Sequence, residues 1–306
     1  MNTQHFVFPG GDASLDIAVD FGCNLCSWIV KGRELLYREA GFGTDRVRMY
    51  EAGGTPLLFP SVGRTWDRTA TPPAPDRYRL AGHSGALSMP CHGILPLGKW
   101  EPAGVQQTAS EVRVEYRFTC AQGVLDRHYP FTVELRHRFI LKERSLALEA
   151  TLVNHGSIPA PAAVGWHPYW RLAGDEVFVR LPCTQQVELD PRLLVPSGKT
   201  RPFAGELRAS VAQECDVAFG GITGTRACLI DEANGYTVTL DTDASVGNWV
   251  IYSAAGRPFV CIEPWTKGLG AYEHLSQPDW MRGEYLPVLA PGEARTMRVT
   301  FSYSTP

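Results

Sequence analysis

Glu263 occupies the position in this chain that most clearly suggests chemistry. It ends an apolar run, residues 259–262, whose side chains alternate between two faces without leaving a polar one. Pro264 follows and restricts residue 263 to an extended backbone. Because a buried carboxylate without partners costs free energy, we interpret Glu263 as a general base or a group that binds hydroxyls. The alternative is a structural carboxylate paired with Lys267 or Arg257.

His167 is the second candidate, in the segment AVGWHPYWRL. It also precedes a proline and therefore has a restricted backbone. In an extended segment Tyr169 shares its side, while Trp166 and Trp170 lie on the other. Aromatic rings can pack against the apolar face of a sugar ring, which makes Tyr169 and Trp170 candidate substrate contacts. The competing interpretation of His167 is a core histidine that bonds a backbone carbonyl.

Three other residues are weaker candidates on sequence alone. His92 precedes a glycine, which allows backbone or ligand to approach closely. Arg64 follows a turn at the end of an apolar strand, where its guanidinium can donate two bonds at once to sugar oxygens or an anion. Asp216 can accept bonds from hydroxyls or simply stabilise a turn. Residues 61–82 hold four arginines, and we predict a long binding loop over the sheet face.

Other chemistries lack their motifs. The sequence has no GxSxG elbow, no Walker-type loop, no GxGxxG after a strand and no HExxH. The CxxC of Cys23 and Cys26 lacks a second pair or a histidine at zinc-ligand spacing. A histidine metal site is conceivable, but no two of its candidates have ligand spacing on one element: His92, His128, His137 and His167. The sequence therefore predicts neither a metal nor a cofactor.

Composition narrows the class of protein and its partners. A chain of 306 residues with 44% hydrophobic content can bury a large core. Its net charge of -3 is spread without blocks of like sign, which argues against nucleic acid or a membrane surface as partner and favours a small molecule. The N-terminus has no secretory pattern, and the eight cysteines are interpreted as buried thiols. We expect a cytoplasmic monomer or homodimer.

Strands must position these residues, because the apolar pattern has period two almost throughout. Thirty glycines and 23 prolines interrupt it at short intervals, which is typical of a large antiparallel sandwich. We predict one all-β domain over residues 1–306, with a hairpin around residues 142–144 and at most one short helix at 206–214. The predicted strands are 111–120, 131–141, 145–153, 236–241, 249–253 and 294–303.

Five segments in this order resemble the motifs of the aldose 1-epimerase family, the galactose mutarotase-like proteins: LLFPSVGR, CHG, GWHPYW, CDVAF and VCIEPWT. The resemblance spans most of the chain. It implies the family's large β-sandwich, often called a supersandwich, and interconversion of the α and β anomers of a free hexose. The galactose mutarotases proper differ at the histidine motif, where they look more like NHTYF. Many relatives carry an arginine shortly after the HG pair, where this chain has Pro96.

The resemblance also implies residue roles. The family's catalytic base falls on Glu263, its general acid on His167 and a second active-site histidine on His92. Its substrate-binding arginine and aspartate fall on Arg64 and Asp216. From ordinary pKa values of about 4.3 and 6.5, we expect Glu263 as a carboxylate beside His167 as an imidazolium.

Three alternative functions stay open from sequence. The arginines of residues 61–82 suit a mutarotase for a phosphorylated or sulfonated hexose. Glu263 and Asp216 suit a glycoside hydrolase, which needs two carboxyl groups about 5–10 Å apart. A sugar-binding protein without turnover needs only the aromatic floor and Arg64.

Overall fold

The structure is a computed structural model that describes residues 1–120 and 125–306. These residues form 27 β-strands and four short 3-10 helices. The strands, in chain order, are Thr3–Val7 (β1), Ala13–Ala18 (β2), Asn24–Val30 (β3), Arg33–Glu34 (β4), Leu57–Leu58 (β5), Trp66–Asp67 (β6), Ala74–Pro75 (β7), Arg77–Arg79 (β8), Ala86–Ser88 (β9), Trp100–Gln107 (β10), Val112–Cys120 (β11), Val133–Leu141 (β12), Ser145–Asn154 (β13), Ala160–Pro161 (β14), Gly165–Trp166 (β15), Tyr169–Arg171 (β16), Glu176–Arg180 (β17), Cys183–Leu189 (β18), Pro196–Pro202 (β19), Glu206–Ser210 (β20), Cys215–Ile222 (β21), Arg226–Asp231 (β22), Tyr236–Thr242 (β23), Val246–Ser253 (β24), Phe259–Thr266 (β25), Val288–Leu289 (β26) and Ala294–Ser304 (β27). The 3-10 helices are Arg46–Glu51, Leu95–Leu97, Ala271–Ser276 and Trp280–Arg282.

Two large antiparallel sheets dominate the fold. One has nine strands in the order β10-β11-β12-β13-β27-β23-β22-β17-β20. The other has eight, in the order β19-β18-β21-β24-β25-β15-β5, with β16 also pairing with β25. Strands β1 to β4 form a smaller sheet. The all-β fold class predicted from period-two patterning is confirmed.

The two large sheets pack face to face. Trp166 on β15 donates its indole N–H to His137 Nε2 on β12 at 3.3 Å, and the Trp170 ring on β16 meets Phe301 on β27 edge-on at 4.8 Å between centroids. Burial lowers the pKa of His137 to about 3, so this histidine is a neutral core residue. His137 does not line the cavity that contains Glu263 and His167.

The predicted hairpin is present. Strands β12 and β13 pair from Val133 opposite Asn154 to Leu141 opposite Leu146, with the turn at residues 142–144. Their apolar residues point into the core, as alternation requires. The predicted helix at 206–214 is wrong: Glu206–Ser210 is an edge strand paired with β17. Its two apolar residues, Leu207 and Ala209, are two apart, which is the spacing of a strand and not of a helix.

Residues 61–82 form a flap over the sheet that contains three very short strands, β6 to β8. Strand β6 pairs with β7, and β8 pairs with β9. Tyr78 anchors the flap, since it is fully buried, donates its hydroxyl to the His128 carbonyl at 2.9 Å and packs edge-on against Tyr272. The flap therefore has a fixed position over the sheet, and two of its arginines, Arg68 and Arg79, are held in ion pairs.

Two further observations concern the helices and the cysteines. None of the helices in the described residues is long and apolar enough to cross a membrane. All eight cysteines are free thiols, and the CxxC pair is buried, with Cys26 donating to the Asp16 carbonyl at 3.4 Å.

Candidate functional site

A cavity of about 470 Å³ lies on the face of the eight-stranded sheet that is turned away from the sandwich core. Strands β21, β24 and β25 supply its floor, and the flap together with the first 3-10 helix supplies part of its wall. Its polar lining includes Tyr50, Glu51, Arg64, Asp76, Cys91, His92, His167, Tyr169, Asp216, Tyr252, Glu263 and Trp265. The cavity thus gathers Glu263, His167, His92, Arg64, Asp216 and Tyr169 of the predicted site.

Glu263 lies on β25, a strand paired on both sides. It is in register with Val250 of β24, and its side chain is only 1% exposed. Neither residue suggested as a structural partner binds it in the described part of the chain: Arg257 pairs with Glu39, and Lys267 forms no ion pair. The carboxylate faces His167 instead, with Glu263 Oε1 3.3 Å from His167 Nε2.

His167 lies between β15 and β16, where its backbone N–H donates to the Pro56 carbonyl at 3.0 Å. Its ring stacks on Tyr169 with 4.6 Å between centroids and 10° between planes. The ring is 5% exposed, and its Nδ1 has no hydrogen-bond partner among residues 1–120 and 125–306. His167 therefore has a fixed orientation, with Nε2 facing Glu263 and Nδ1 buried.

The charge state of this pair differs from the sequence-based expectation. Burial raises the pKa of Glu263 well above its ordinary value; the negative charge of Asp216 adds to the rise, and the Trp265 indole opposes it. Burial also lowers the pKa of His167 well below its ordinary value, with His92 adding to the shift. Both shifts favour the neutral forms, a carboxylic acid beside a neutral imidazole. Desolvation by burial is the largest cause of both pKa shifts, and the sequence could not reveal it.

His92 is held as a neutral hydrogen-bond donor. The backbone N–H of Gly63 donates to His92 Nδ1 at 3.2 Å, and the backbone N–H of His92 donates back to the Gly63 carbonyl at 3.0 Å. Because Nδ1 accepts, the ring proton sits on Nε2. Burial lowers the pKa of His92 to about 3, and the charge of Arg64 contributes. His92 thus offers an N–H to a ligand and does not act as a cation.

Arg64 and Asp216 lie on the cavity wall as opposite charges. Burial raises the pKa of Asp216, whereas Arg64 opposes that rise and Glu214 adds to it. Both residues are solvent-accessible, but the Asp216 carboxyl is partly enclosed by the cavity wall, and this desolvation raises its pKa. The pair can donate to and accept from adjacent sugar hydroxyls.

The two predicted aromatic contacts separate. Tyr169 lines the cavity and donates its hydroxyl to the Tyr50 carbonyl at 2.6 Å. Trp170 points the other way, into the sandwich core between Trp28 and Phe301, and is 1% exposed. The assignment of Trp170 to substrate binding is therefore not supported, because side-chain alternation places it on the opposite face from His167.

The arginines of residues 61–82 do not form an anion-binding cluster. Arg68 pairs with Glu273 and Arg79 with Asp67, at 3.0 Å each. Arg77 is exposed and outside the cavity lining of the described residues. Among the four arginines of residues 61–82, all of which the structure describes, Arg64 is the one that lines the cavity.

Sequence reasoning missed several lining residues. Tyr50 comes from a 3-10 helix without a recognisable motif, and its hydroxyl lacks a partner within the described ranges. Asp76 has a left-handed backbone with φ of 55°, held by bonds from its N–H to Thr65 and from Met89 to its carbonyl. Trp265 belongs to the EPW segment, and Tyr252 is paired with Cys261 two residues before Glu263. Only Trp265 carried a sequence signal.

Comparison with known proteins assigns the family. The aldose 1-epimerase family model matches residues 10–302. The chain belongs to the aldose 1-epimerase family. Members of this family are isomerases, so the chain belongs to a family of enzymes.

Solved structures of similar fold agree with this membership. A protein from Synechocystis sp. PCC 6803 superposes with a TM-score of 0.82 and 25% identity, covering 100% of this chain and 96% of the other. A galactose mutarotase-like protein from Clostridium acetobutylicum gives 0.80 and 18%, covering 100% and 99%. A galactose 1-epimerase from Lactobacillus acidophilus gives 0.71 and 12%, covering 100% and 99%. At 18% and 12% identity, the last two structures show a similarity of fold alone.

Proposed function

We propose that the chain is a mutarotase that interconverts the α and β anomers of a neutral free hexose, acting as one domain in the cytoplasm. The observation that carries this proposal is the Glu263–His167 pair, 3.3 Å apart and buried on the floor of the cavity. Mutarotation needs one base and one acid at a single anomeric centre. Family membership supplies the reaction class.

The proton balance follows from the neutral resting pair. Transfer of the Glu263 proton to His167 creates carboxylate and imidazolium across 3.3 Å. The carboxylate then takes the proton of the C1 hydroxyl while the imidazolium protonates the ring oxygen, and the C1–ring oxygen bond breaks. After rotation about the C1–C2 bond, the reverse transfers close the ring on the other face. At the end Glu263 is again protonated and His167 is again neutral, so the pair neither gains nor loses a proton.

His92, Arg64 and Asp216 are proposed to hold the sugar. The Nε2–H of His92 can donate to a sugar oxygen. Tyr169 packs beside His167 and completes the wall. Unpaired buried polar atoms are costly, so a ligand rich in hydroxyls suits this lining.

The charge balance of the cavity favours a neutral sugar over an anionic one. Arg64 faces three carboxylates that line the same cavity, Glu51, Asp76 and Asp216, although Glu51 also pairs with Arg48 on the surface. A phosphate or sulfonate would meet repulsion from these groups. The alternative of an anionic hexose loses its main support, the arginine cluster of residues 61–82.

We expect glucose or galactose to show faster anomer exchange with the protein, whereas glucose 6-phosphate and sulfoquinovose show little. Exchange spectroscopy by NMR on these four sugars, against buffer blanks, measures this directly. Preference for an anionic sugar would contradict the charge argument, and release of a monosaccharide from an aryl glycoside would favour a hydrolase. Tight sugar binding without exchange would favour a binding protein.

The pH dependence is expected to show a broad plateau. As pH falls through the lowered pKa of His167 a second proton binds the pair, and as pH rises through the raised pKa of Glu263 the last proton leaves. The active, singly protonated pair therefore persists between these two limits. A profile of kcat/KM should lack a midpoint near the ordinary histidine value of about 6.5. An acid limb centred there would contradict the neutral resting pair.

A further inference from the structure

Three different donor atoms come together around Glu263, beside the cavity. Cys261 lies two residues before Glu263 on β25, so both side chains leave the same face of the strand. One ligand atom from each of Cys261, Glu263 and His167 lies within 4.8 Å of the other two. All three residues are buried, and Cys261 is fully so. Mutarotation as proposed uses Glu263 and His167 and has no role for the thiol.

We propose that Cys261, His167 and Glu263 form a binding site for a thiophilic divalent cation such as Zn²⁺, and that its occupation inhibits the enzyme. Thiolate, imidazole and carboxylate are the donors that zinc prefers, and three of them leave a fourth position open. Donors of one zinc ion lie roughly 3.3–3.8 Å apart, given bond lengths of about 2.0–2.3 Å. The 3.3 Å between His167 Nε2 and Glu263 Oε1 already meets this spacing.

Two further features favour the binding of a metal ion by these three residues. The second carboxylate oxygen, Glu263 Oε2, lacks a hydrogen-bond partner within the described residues, so its lone pairs are available to a metal ion. A dication beside one thiolate and one carboxylate also leaves the buried cluster with no net charge, which reduces the cost of desolvation. The Zn–S and Zn–O bonds form as the thiol and, where protonated, the carboxyl release their protons to solvent.

Occupation would remove the catalytic base and acid together. A carboxylate and an imidazole that bind zinc can neither accept nor donate the protons of ring opening. Inhibition should therefore be competitive with the sugar. The metal site stands on the cluster geometry alone, and only the inhibition rests on the proposed function.

The test begins with the full chain, freed of metal by chelator and gel filtration. Isothermal titration with ZnCl₂ should show Cys261→Ala binding more weakly by at least about tenfold, since mutation of even an outer-shell partner of a metal ligand typically costs about 10–100-fold in affinity. The matched control is Cys183→Ala, which removes another buried thiol outside the cluster and should bind as the wild type does. Co²⁺ in place of Zn²⁺ should give the near-ultraviolet absorption of a thiolate-to-cobalt charge transfer in wild type and not in Cys261→Ala.

Activity provides the second arm. Relative to its own rate without zinc, Cys261→Ala should need at least about tenfold more Zn²⁺ than the wild type for the same fractional inhibition. Equal zinc affinity in Cys261→Ala and wild type, or a wild-type cobalt complex without thiolate absorption, would overturn the proposal. Such results would place the metal at a surface pair such as His5 and Asp16. Because binding is read without sugar, failure of mutarotation would leave the metal result interpretable.

Discussion

Glu263→Gln should lower the rate of anomer exchange about 10²–10⁴-fold, the contribution typical of a positioned acid or base. The amide keeps the shape of the side chain but cannot accept the C1 hydroxyl proton. It also leaves His167 without the source of its proton across the 3.3 Å contact. Polarimetry or NMR exchange at equal protein concentration gives the comparison. A folded Glu263→Gln variant with wild-type activity would contradict the assignment of the base.

The same variant should be at least as stable as the wild type. The pKa of Glu263 is raised in the folded state, so the stability it contributes is present below its unfolded pKa and is lost as pH rises through the folded value. Removing the ionisable group removes this loss. Thermal unfolding at pH 5 and pH 8 should therefore show the variant gaining relative to wild type at the higher pH. Glu101→Gln, at an exposed pair with Arg117, is the control and should change neither activity nor stability.

Gly93→Ala should destabilise the protein by about 3 kcal/mol or more, because overpacking costs about 1–3 kcal/mol and a strained backbone a similar amount. Gly93 has φ of 99°, and a Cβ there would lie 2.0 Å from the backbone oxygen of Phe59. The two residues form an isolated parallel bridge, with Ile94 N–H also donating to the Phe59 carbonyl at 2.9 Å. Relief of the clash must move the turn that carries His92, so activity should fall as well.

Gly82→Ala is the matched control for that prediction. Gly82 has φ of 82°, but no atom lies within 4 Å of a Cβ built there. Its cost should be limited to the left-handed backbone, about 1–2 kcal/mol. Urea unfolding of both variants separates the two effects. Equal destabilisation would mean that the close approach of Gly93 to Phe59 does not constrain the site.

Local pattern predicted the parts of the fold that depend on neighbouring residues. The β12–β13 hairpin follows from two period-two runs joined by a three-residue charged turn, and the structure confirms its register. Alternation also separated Tyr169 from Trp170, but it cannot say which face of a strand meets solvent. That choice depends on the partner sheet, where Phe301 receives the Trp170 ring. The substrate assignment of Trp170 failed for this reason.

The geometry of the candidate site was harder to predict from sequence than the hairpin, because it depends on contacts between distant segments. Glu263 and His167 stood out because each precedes a proline, and their meeting required only that β25 and β16 pair. Their charge states could not be predicted, because these depend on burial and on His92 and Asp216, which come from distant segments. Asp76 lines the cavity through a turn in the flap, whose position depends on tertiary packing.

The most direct test of the central claim is NMR exchange spectroscopy of the anomeric protons of glucose and galactose with wild-type protein and with Glu263→Gln. The account predicts exchange between α and β signals well above the buffer rate for wild type with at least one of the sugars. It predicts exchange at the buffer rate, or close to it, for the variant. No acceleration by folded wild-type protein with either sugar, or equal acceleration by Glu263→Gln, would contradict it.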